Sequence, residues 1–289
     1  MLNKFHANTK ILGLIGHPLK HSYSPFVQNV AFQLKEMDYV YLPFDVPTVN
    51  LKSALKGMVA LGIKGFNITI PHKENILQYM NNVSEEASII GAINTVVNDM
   101  GKLSGFNTDV NGILETLSPI KEEINGNVVS VIGAGGAARA AIYTLIRHFK
   151  PSKIYIINRT EQRAEALKYY FKDKMKFDAF KTKELFPPDL IETFRSSKLI
   201  INSTSVGMYP DIDDSITDLP ESFSKDQIVF DMVYNPLRTN LIKLASQQGA
   251  QVLDGLKMLV YQAAKSFELW TNESMPVDEV YKALQLYIK

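Results

Sequence analysis

The run Val128-Val129-Ser130-Val131-Ile132-Gly133-Ala134-Gly135-Gly136-Ala137-Ala138-Arg139-Ala140-Ala141 changes character twice. A β-branched segment gives way to glycines, and the glycines to an alanine-rich, helix-favouring run that ends near Phe149. That order predicts a strand, a tight turn and a helix. Glycine admits positive φ and close approach of the backbone to a ligand. The helix that follows turns unpaired N–H groups and the positive end of its dipole toward an anion. Gly133, Gly135, Gly136 and Ala138, with Ala134 and Ala137 between them, read as G-x-G-G-x-A, a variant of the dinucleotide-binding G-x-G-x-x-G/A.

The next apolar run, Lys153-Ile154-Tyr155-Ile156-Ile157, predicts a second strand followed by Asn158-Arg159-Thr160-Glu161-Gln162-Arg163. Folds specific for NAD place an acidic residue at this strand end, about 20 residues past the glycines, to hold the ribose 2′-hydroxyl. Asn158 and Arg159 stand there instead. An amide beside a guanidinium suits a 2′-phosphate, because arginine makes bidentate, charge-assisted bonds to phosphate oxygens. Arg159 and Arg163 at a helix start oppose the dipole unless an anion joins them. The expected cofactor is NADP, with Asn158, Arg159, Thr160 and Arg163 around its phosphate.

With 289 residues the chain is long enough for two domains of ordinary size. Its 31 basic and 30 acidic residues give a formal charge of +1, so neither nucleic acid nor an anionic membrane is an expected partner. The absence of cysteine excludes disulfides and thiol catalysis. Met1–Lys10 is polar and lacks the apolar core of a secretory signal, and no apolar run approaches the ~18 residues of a membrane span. A cytoplasmic protein without a metal site is expected, as monomer or homodimer.

Toward the N-terminus, strand and helix patterns alternate. Ile11–Gly16, Tyr39–Phe44 and Gly65–Ile70 read as strands. Ser24–Leu34 and Asn50–Leu61, the latter with Asn50 as a possible cap, read as helices, and another is expected from about Lys73. Ile93–Asn98 and Leu103–Phe106 predict a hairpin turning at Met100-Gly101. The pattern implies an α/β fold with a mainly parallel sheet. Ser22 and Ser24, two apart before the first helix, share one side and suit a carboxylate; Ser24 equally suits a helix cap. Asn67 and Thr69 share one face of a strand expected to be buried on both sides, Lys73 begins a helix, and Asp109 suits a cap for Val110–Leu117.

Taken in order, these stretches resemble the shikimate dehydrogenase family. The resemblance is carried by His21-Ser22-x-Ser24-Pro25, Asn67-Ile68-Thr69-Ile70-Pro71-His72-Lys73, Gly91-Ala92-Ile93-Asn94-Thr95 and Asn107-Thr108-Asp109. It continues through the glycine turn, Asn158-Arg159-Thr160, Ser203-Thr204-Ser205-Val206-Gly207-Met208, Asp231-Met232-Val233-Tyr234-Asn235-Pro236, and the segment from Asp254-Gly255 through Gln262 to Trp270. The chain departs from the commonest pattern at Tyr23, where Lys or Leu is familiar, at His72, where Phe is frequent, and at Val110, where Gly is usual.

The resemblance implies NADP-linked reduction of 3-dehydroshikimate to shikimate, with Lys73 and Asp109 as a joint acid–base pair. It implies that Ser22 and Ser24 hold the substrate carboxylate, that Asn67, Thr69, Asn94 and Gln262 bond the ring oxygens, and that Tyr234 reaches the substrate edge. Thr204 and Ser205 would line the ribose and nicotinamide side, Met232 would pack on the nicotinamide, and Gly255 would let the backbone approach it. The implied organisation is a discontinuous substrate domain, residues 1–108 and 256–289, completed by C-terminal helices, and a Rossmann-type NADP domain, residues 109–255, with the active site in the cleft. The alternatives are an NAD-linked quinate/shikimate dehydrogenase and a shikimate-sensing relative without turnover.

Overall fold

The structure, a computed structural model, describes residues 6–19 and 22–288. Met1–Phe5 of the polar N-terminal segment, and Lys20 and His21 of the serine motif, lie outside the described residues. The chain forms two compact units, residues 1–112 with 260–289, and residues 113–259.

The first unit is built on six strands: β1 (Lys10–Gly16), β2 (Tyr39–Asp45), β3 (Gly65–Ile68), β4 (Asn82–Val83), β5 (Thr95–Asp99) and β6 (Lys102–Phe106). Their spatial order is β2-β1-β3-β5-β6-β4. The sheet is mixed: β1 lies parallel to β2 and β3, and β4 to β6, whereas β3–β5 and β5–β6 are antiparallel. The crossover helices Ser24–Leu34 and Leu51–Ala60 link β1 to β2 and β2 to β3. The antiparallel pair β5–β6 is closed by Met100 and Gly101, both at positive φ, as a two-residue hairpin requires. Ile15, Leu55, Phe66, Ile68, Ile76, Ile93 and Val96 form the core on one face of this sheet.

Several local expectations change. No α-helix starts at Lys73; a turn leads into a 3₁₀ segment, Asn75–Tyr79. The Lys73 carbonyl accepts a bond from the Ile93 N–H at 2.8 Å, so the Leu77 N–H turns to the Glu74 carbonyl instead. Asn50 takes the expected N-cap position of Leu51–Ala60, but a 3₁₀ turn over Thr48–Asn50 leads into the helix and its side chain makes no cap bond. Ser24 is no cap either: it is the first helical residue, and Tyr23 occupies the N-cap position.

The second unit has an all-parallel sheet, as a doubly wound fold requires. Its strands are β7 (Val128–Ile132), β8 (Lys153–Asn158), β9 (Phe180–Glu184), β10 (Leu199–Asn202), β11 (Ile228–Asp231) and β12 (Gln251–Leu253), in the order β12-β11-β10-β7-β8-β9. β9 and β12 are edge strands with mostly exposed or half-exposed side chains and no apolar run to announce them. β10 and β11 end at Asn202 and Asp231. Asn202 and Asp231 end them by accepting the backbone N–H groups of Thr204 and Val233, each at 3.0 Å, which turns the chain out of the sheet.

Gly65 shows how tightly β3 is packed. A Cβ there would lie 2.3 Å from Trp270 Nε1 and 2.7 Å from the Val96 carbonyl, the very groups joined by the 3.0 Å indole hydrogen bond. Gly65→Ala is expected to destabilise the protein by about 2–4 kcal/mol, through overpacking and loss of that buried bond. Denaturant titration should show a lower midpoint at an unchanged m-value.

Candidate active site

The site grows from the end of β3. Asn67 lies opposite Thr95 of β5 in the antiparallel register, so both side chains project from one face. The Asn67 amide donates to Thr95 Oγ1 at 2.9 Å, to Ser266 Oγ at 3.0 Å and to the Asn94 carbonyl at 3.0 Å, while its oxygen accepts from the Tyr41 hydroxyl at 2.7 Å. Ser266 Oγ lies 2.8 Å from Thr95 Oγ1 and 3.0 Å from Thr108 Oγ1. Asn94 Oδ1 accepts from the Thr108 N–H at 2.7 Å. Its amide donates to Asp109 Oδ1 at 2.9 Å and lies 3.5 Å from Gln262 Oε1.

At the edge of this network the Lys73 ammonium meets Asp109 Oδ2 at 2.5 Å. The Lys73 side chain is 16% exposed and that of Asp109 only 6%, so the lysine is the member of the pair with access to solvent. Asp109 begins the helix Asp109–Leu117, yet its carboxylate oxygens go to Lys73 and Asn94. Capping is therefore not its role. Asn107 supplies the local bond instead, accepting the Asp109 N–H at 3.1 Å.

The three expected hydroxyls differ in their bonding. Ser22 Oγ accepts the Ser24 N–H at 3.3 Å. The hydroxyls of Ser24 and of half-buried Thr69 have no hydrogen-bond partner among the described residues. The first unit thus separates side chains spent on one another (Asn67, Thr95, Thr108, Ser266) from groups with bonding capacity left over: Lys73, Ser24 and Thr69. Tyr41, Thr95, Thr108 and Ser266 were not singled out from the sequence. Ser266 is signalled only by its place one turn after Gln262 on the helix Leu256–Thr271, whose Gln262 carbonyl it bonds at 3.0 Å.

In the second unit, the chain order reverses between β7 and β10, the switch point at which open α/β sheets bind ligands. The glycine turn follows β7 and opens the helix Gly136–Thr144. Gly133 is at φ +115°, and a Cβ there would strike Ser203 Oγ at 2.6 Å, so the fold itself requires this glycine. Gly135 differs: its φ is negative, and a Cβ would meet nothing within 4 Å. No group of the protein explains the missing side chain, and the open space leaves room for a pyrophosphate at the helix N-terminus. Ala134 is buried, and Gly136 and Ala137 form the first helical turn.

The Gly133 N–H bonds the Ile157 carbonyl at 2.7 Å, which brings the end of β8 beside the glycine turn. There the Asn158 amide donates to the Thr160 carbonyl at 2.8 Å. Arg159 and Arg163 are exposed and have no ion-pair partner among the described residues. Two unpaired cations at a helix start are what an anionic 2′-phosphate would satisfy. The donors present therefore fit NADP. After β10, Thr204 is half-buried and Ser205 exposed. Met232 and Tyr234 follow β11, both half-buried. At Gly255 a Cβ would lie 2.3 Å from the Met232 carbonyl oxygen, so it is the protein's own backbone that demands this glycine.

Asp231 anchors that second turn. Buried at the end of β11, it accepts from Thr239 Oγ1 at 2.6 Å, Asn202 Nδ2 at 2.9 Å and the Val233 N–H. Burial nevertheless pushes its carboxyl up to about 6, against these three bonds, with Asp254 adding to the rise.

Three family models match the chain: the shikimate dehydrogenase substrate binding domain over residues 14–96, shikimate / quinate 5-dehydrogenase over 115–236, and the shikimate 5′-dehydrogenase C-terminal domain over 255–285. Shikimate dehydrogenase (NADP(+)) of Caldanaerobacter subterraneus subsp. tengcongensis is 44% identical over 98% of this chain and 99% of its own length. A crystal structure of a shikimate dehydrogenase in complex with NADP+ superposes with a TM-score of 0.89 at 39% identity, covering 99% of this chain and 98% of that one. That of shikimate 5-dehydrogenase from Thermus thermophilus, in complex with NADP(H) and shikimate, gives 0.83 at 34% identity over 96% and 99%.

The Asp231 carboxyl generates a pH prediction. Its folded value lies above its ordinary 3.8, so the folded state holds the proton more tightly than the unfolded one. Its contribution to stability therefore falls as pH rises from about 4 to 6 and is flat above. Asp231→Asn should remove this decline, making the variant's stability relative to the parent rise across that window, by about 3 kcal/mol at most. Paired urea titrations between pH 4 and 7.5 measure the difference.

Proposed function

The chain belongs to the shikimate dehydrogenase family, and from that premise we propose which of its residues perform the reaction. Its activity is that of an NADP-dependent shikimate dehydrogenase, reducing 3-dehydroshikimate reversibly to shikimate in aromatic biosynthesis. The catalytic pair is Lys73 and Asp109, and the observation that carries this assignment is their 2.5 Å contact at the edge of the buried polar network.

When bound, NADP supplies the nicotinamide carbon that exchanges hydride with the substrate carbon. The Lys73 ammonium has three N–H donors, one of them directed at Asp109. The others bond the substrate carbonyl oxygen, stabilise the negative charge it develops and deliver its proton. Asp109 holds the ammonium in line, and Asn94 fixes the second carboxylate oxygen so that the pair cannot rotate. In the reverse direction the same pair takes the proton from the hydroxyl. The two residues act as a unit, because they share the proton's path.

Ser22 and Ser24 bind the substrate carboxylate, while Thr69, Asn94 and Gln262 bond its ring oxygens and Tyr234 reaches its edge. The hydroxyls of Ser24 and Thr69, without a partner among the described residues, support this reading. Asn67, whose amide is engaged on both sides, acts by orienting the others. Substrate belongs to the unit of residues 1–112 and 260–289, and NADP to residues 113–259, through Gly133–Ala137, Asn158–Thr160, Arg163, Thr204, Ser205, Met232 and Gly255.

Lys73→Ala is expected to lower kcat about 10³-fold, and Lys73→Arg to stay nearly as low, since a guanidinium keeps the charge but does not release its proton. NADP binding followed by nucleotide fluorescence should be unchanged in both. Turnover surviving in Lys73→Ala would sink the assignment.

Two further substitutions separate cofactor contacts from folding. Gly135→Ala should raise the KM for NADP at an unchanged melting temperature, whereas Gly133→Ala should lower the melting temperature. Arg159→Ala should weaken NADP about 10- to 100-fold while sparing NAD, as loss of a charge-assisted phosphate contact predicts. Initial rates with shikimate or quinate and either nucleotide read this out. A parent enzyme faster with NAD and quinate would instead support the quinate-dehydrogenase alternative.

A further inference from the structure

We propose that Asn202 and Asp231, joined side chain to side chain at the ends of β10 and β11, are positioning residues that together set both cofactor loops of the second unit. The inference rests on the assignment of Thr204, Ser205 and Met232 to NADP.

Asn202 and Asp231 are register partners on adjacent parallel strands, so their side chains project from the same face of the sheet. Both are fully buried and offer a nucleotide no surface of their own. Ser203 is held separately, its N–H and hydroxyl both on the Ile132 carbonyl, at 3.0 and 2.6 Å. From Thr204 onward the first loop depends on Asn202. The Thr204 N–H and hydroxyl both donate to Asn202 Oδ1, at 3.0 and 2.7 Å, and the hydroxyl oxygen accepts the Val206 N–H at 3.2 Å. In the second loop the Met232 N–H goes to the Asn202 carbonyl and the Val233 N–H to Asp231 Oδ1, each at 3.0 Å. The 2.9 Å bond from Asn202 Nδ2 to Asp231 Oδ1 ties the two loops to each other.

The strength of this tie depends on the charge of Asp231. As a carboxylate it accepts from Asn202, Val233 and Thr239 Oγ1, and bonds to an ionised acceptor are roughly twice as strong as neutral ones. The Asn202 amide nitrogen and the Val233 N–H cannot accept a hydrogen bond, whereas the Thr239 hydroxyl can. An added proton therefore goes to Oδ2, against Thr239, whose oxygen already accepts the Ile242 N–H at 3.3 Å. Thr239 then loses the acceptor of its own hydrogen, and Oδ1 keeps its two donors without the charge. Among the described residues no cation pairs with Asp231, and Asp254, just past β12, pushes its carboxyl in the same direction as burial does. With that carboxyl pushed up to about 6, the loops are held firmly above this pH and loosely below it.

Binding of NADP itself, followed by calorimetry from pH 5 to 8.5, reads this out without turnover. Asp231→Asn imitates the protonated carboxyl, keeping the acceptor at Oδ1 but not the charge. At pH 8 it should bind NADP about three- to tenfold more weakly than the parent, and at pH 5 the gap should close to within about twofold. The 2′-phosphate of the nucleotide titrates in the same range, and comparing the two proteins at each pH cancels its effect. Asn202→Asp keeps the acceptor for Thr204 but sets a second carboxyl against the first, so its weak-binding range should extend above pH 7. Met232→Ala, measured alongside, tests the loop assignment. If Met232→Ala weakens NADP while Asp231→Asn matches the parent at pH 8, or is weaker by one factor at every pH, the inference is overturned and the loop assignment stands. An Asn202→Asp curve that follows the parent's overturns it as well. Unchanged binding in Met232→Ala overturns the loop assignment and the inference with it.

Discussion

A lysine ammonium 2.5 Å from a carboxylate that is almost wholly out of water is a demanding object to build into an α/β core. Removing such charges from solvent is costly, and the attraction between them offsets that cost only where the remaining lone pairs are satisfied in good geometry. The first unit meets this condition by a relay. Asn94 takes the second oxygen of Asp109, and the Thr108 backbone fixes Asn94. Thr108 and Thr95 share Ser266, and Asn67 ties Thr95 and Ser266 to the Tyr41 hydroxyl. Strands β2, β3 and β5 and the helix Leu256–Thr271 are thereby committed to one arrangement, since displacing any member leaves a buried polar group unpaired. The mixed topology serves the same end. An antiparallel β3–β5 pair sets Asn67 opposite Thr95, and the Lys73 carbonyl, bonded by Ile93, holds the lysine at the turn beyond β3.

Three glycines with similar appearance in the sequence have three different causes. Gly133 answers to a positive φ and to the Ser203 hydroxyl; Gly255 answers to the Met232 carbonyl. Gly135 alone faces open space. Only the last leaves room beside it for a ligand. Arg159 and Arg163, just past β8, leave room for an anion in another sense, because cations at a helix start without a counter-charge among the described residues are unfavourable until an anion arrives.

The central strands and the glycine turn were legible because their signals are local: β-branched runs bounded by glycine, proline or polar residues, with helical spacing between them. The edge strands β9 and β12 were not, since exposed strands have no apolar run to mark them. The 3₁₀ segment after Lys73 was hidden for another reason. The competing hydrogen bond comes from Ile93, distant in sequence, and no spacing rule reports it. In the candidate site, residues with recognisable polar motifs could be named, whereas Tyr41 and Ser266 could not. Each sits alone in an otherwise apolar or mixed stretch, and its importance exists only once the sheet and the helix Leu256–Thr271 are brought together.

The departures from the commonest family pattern follow from the same separation. His72 precedes Lys73, yet it is fully buried; its Nε2 donates to the Val46 carbonyl at 2.7 Å, and its Nδ1 has no partner among the described residues. Val110 follows Asp109 and is buried, with only apolar atoms in its side chain. Tyr23 stands between the serines and turns its ring to Tyr287. In each case the departing residue and its polar neighbour turn to different surroundings, because adjacent side chains along the chain point in different directions. Substitution there adjusts how firmly the site is held, not which chemistry it performs.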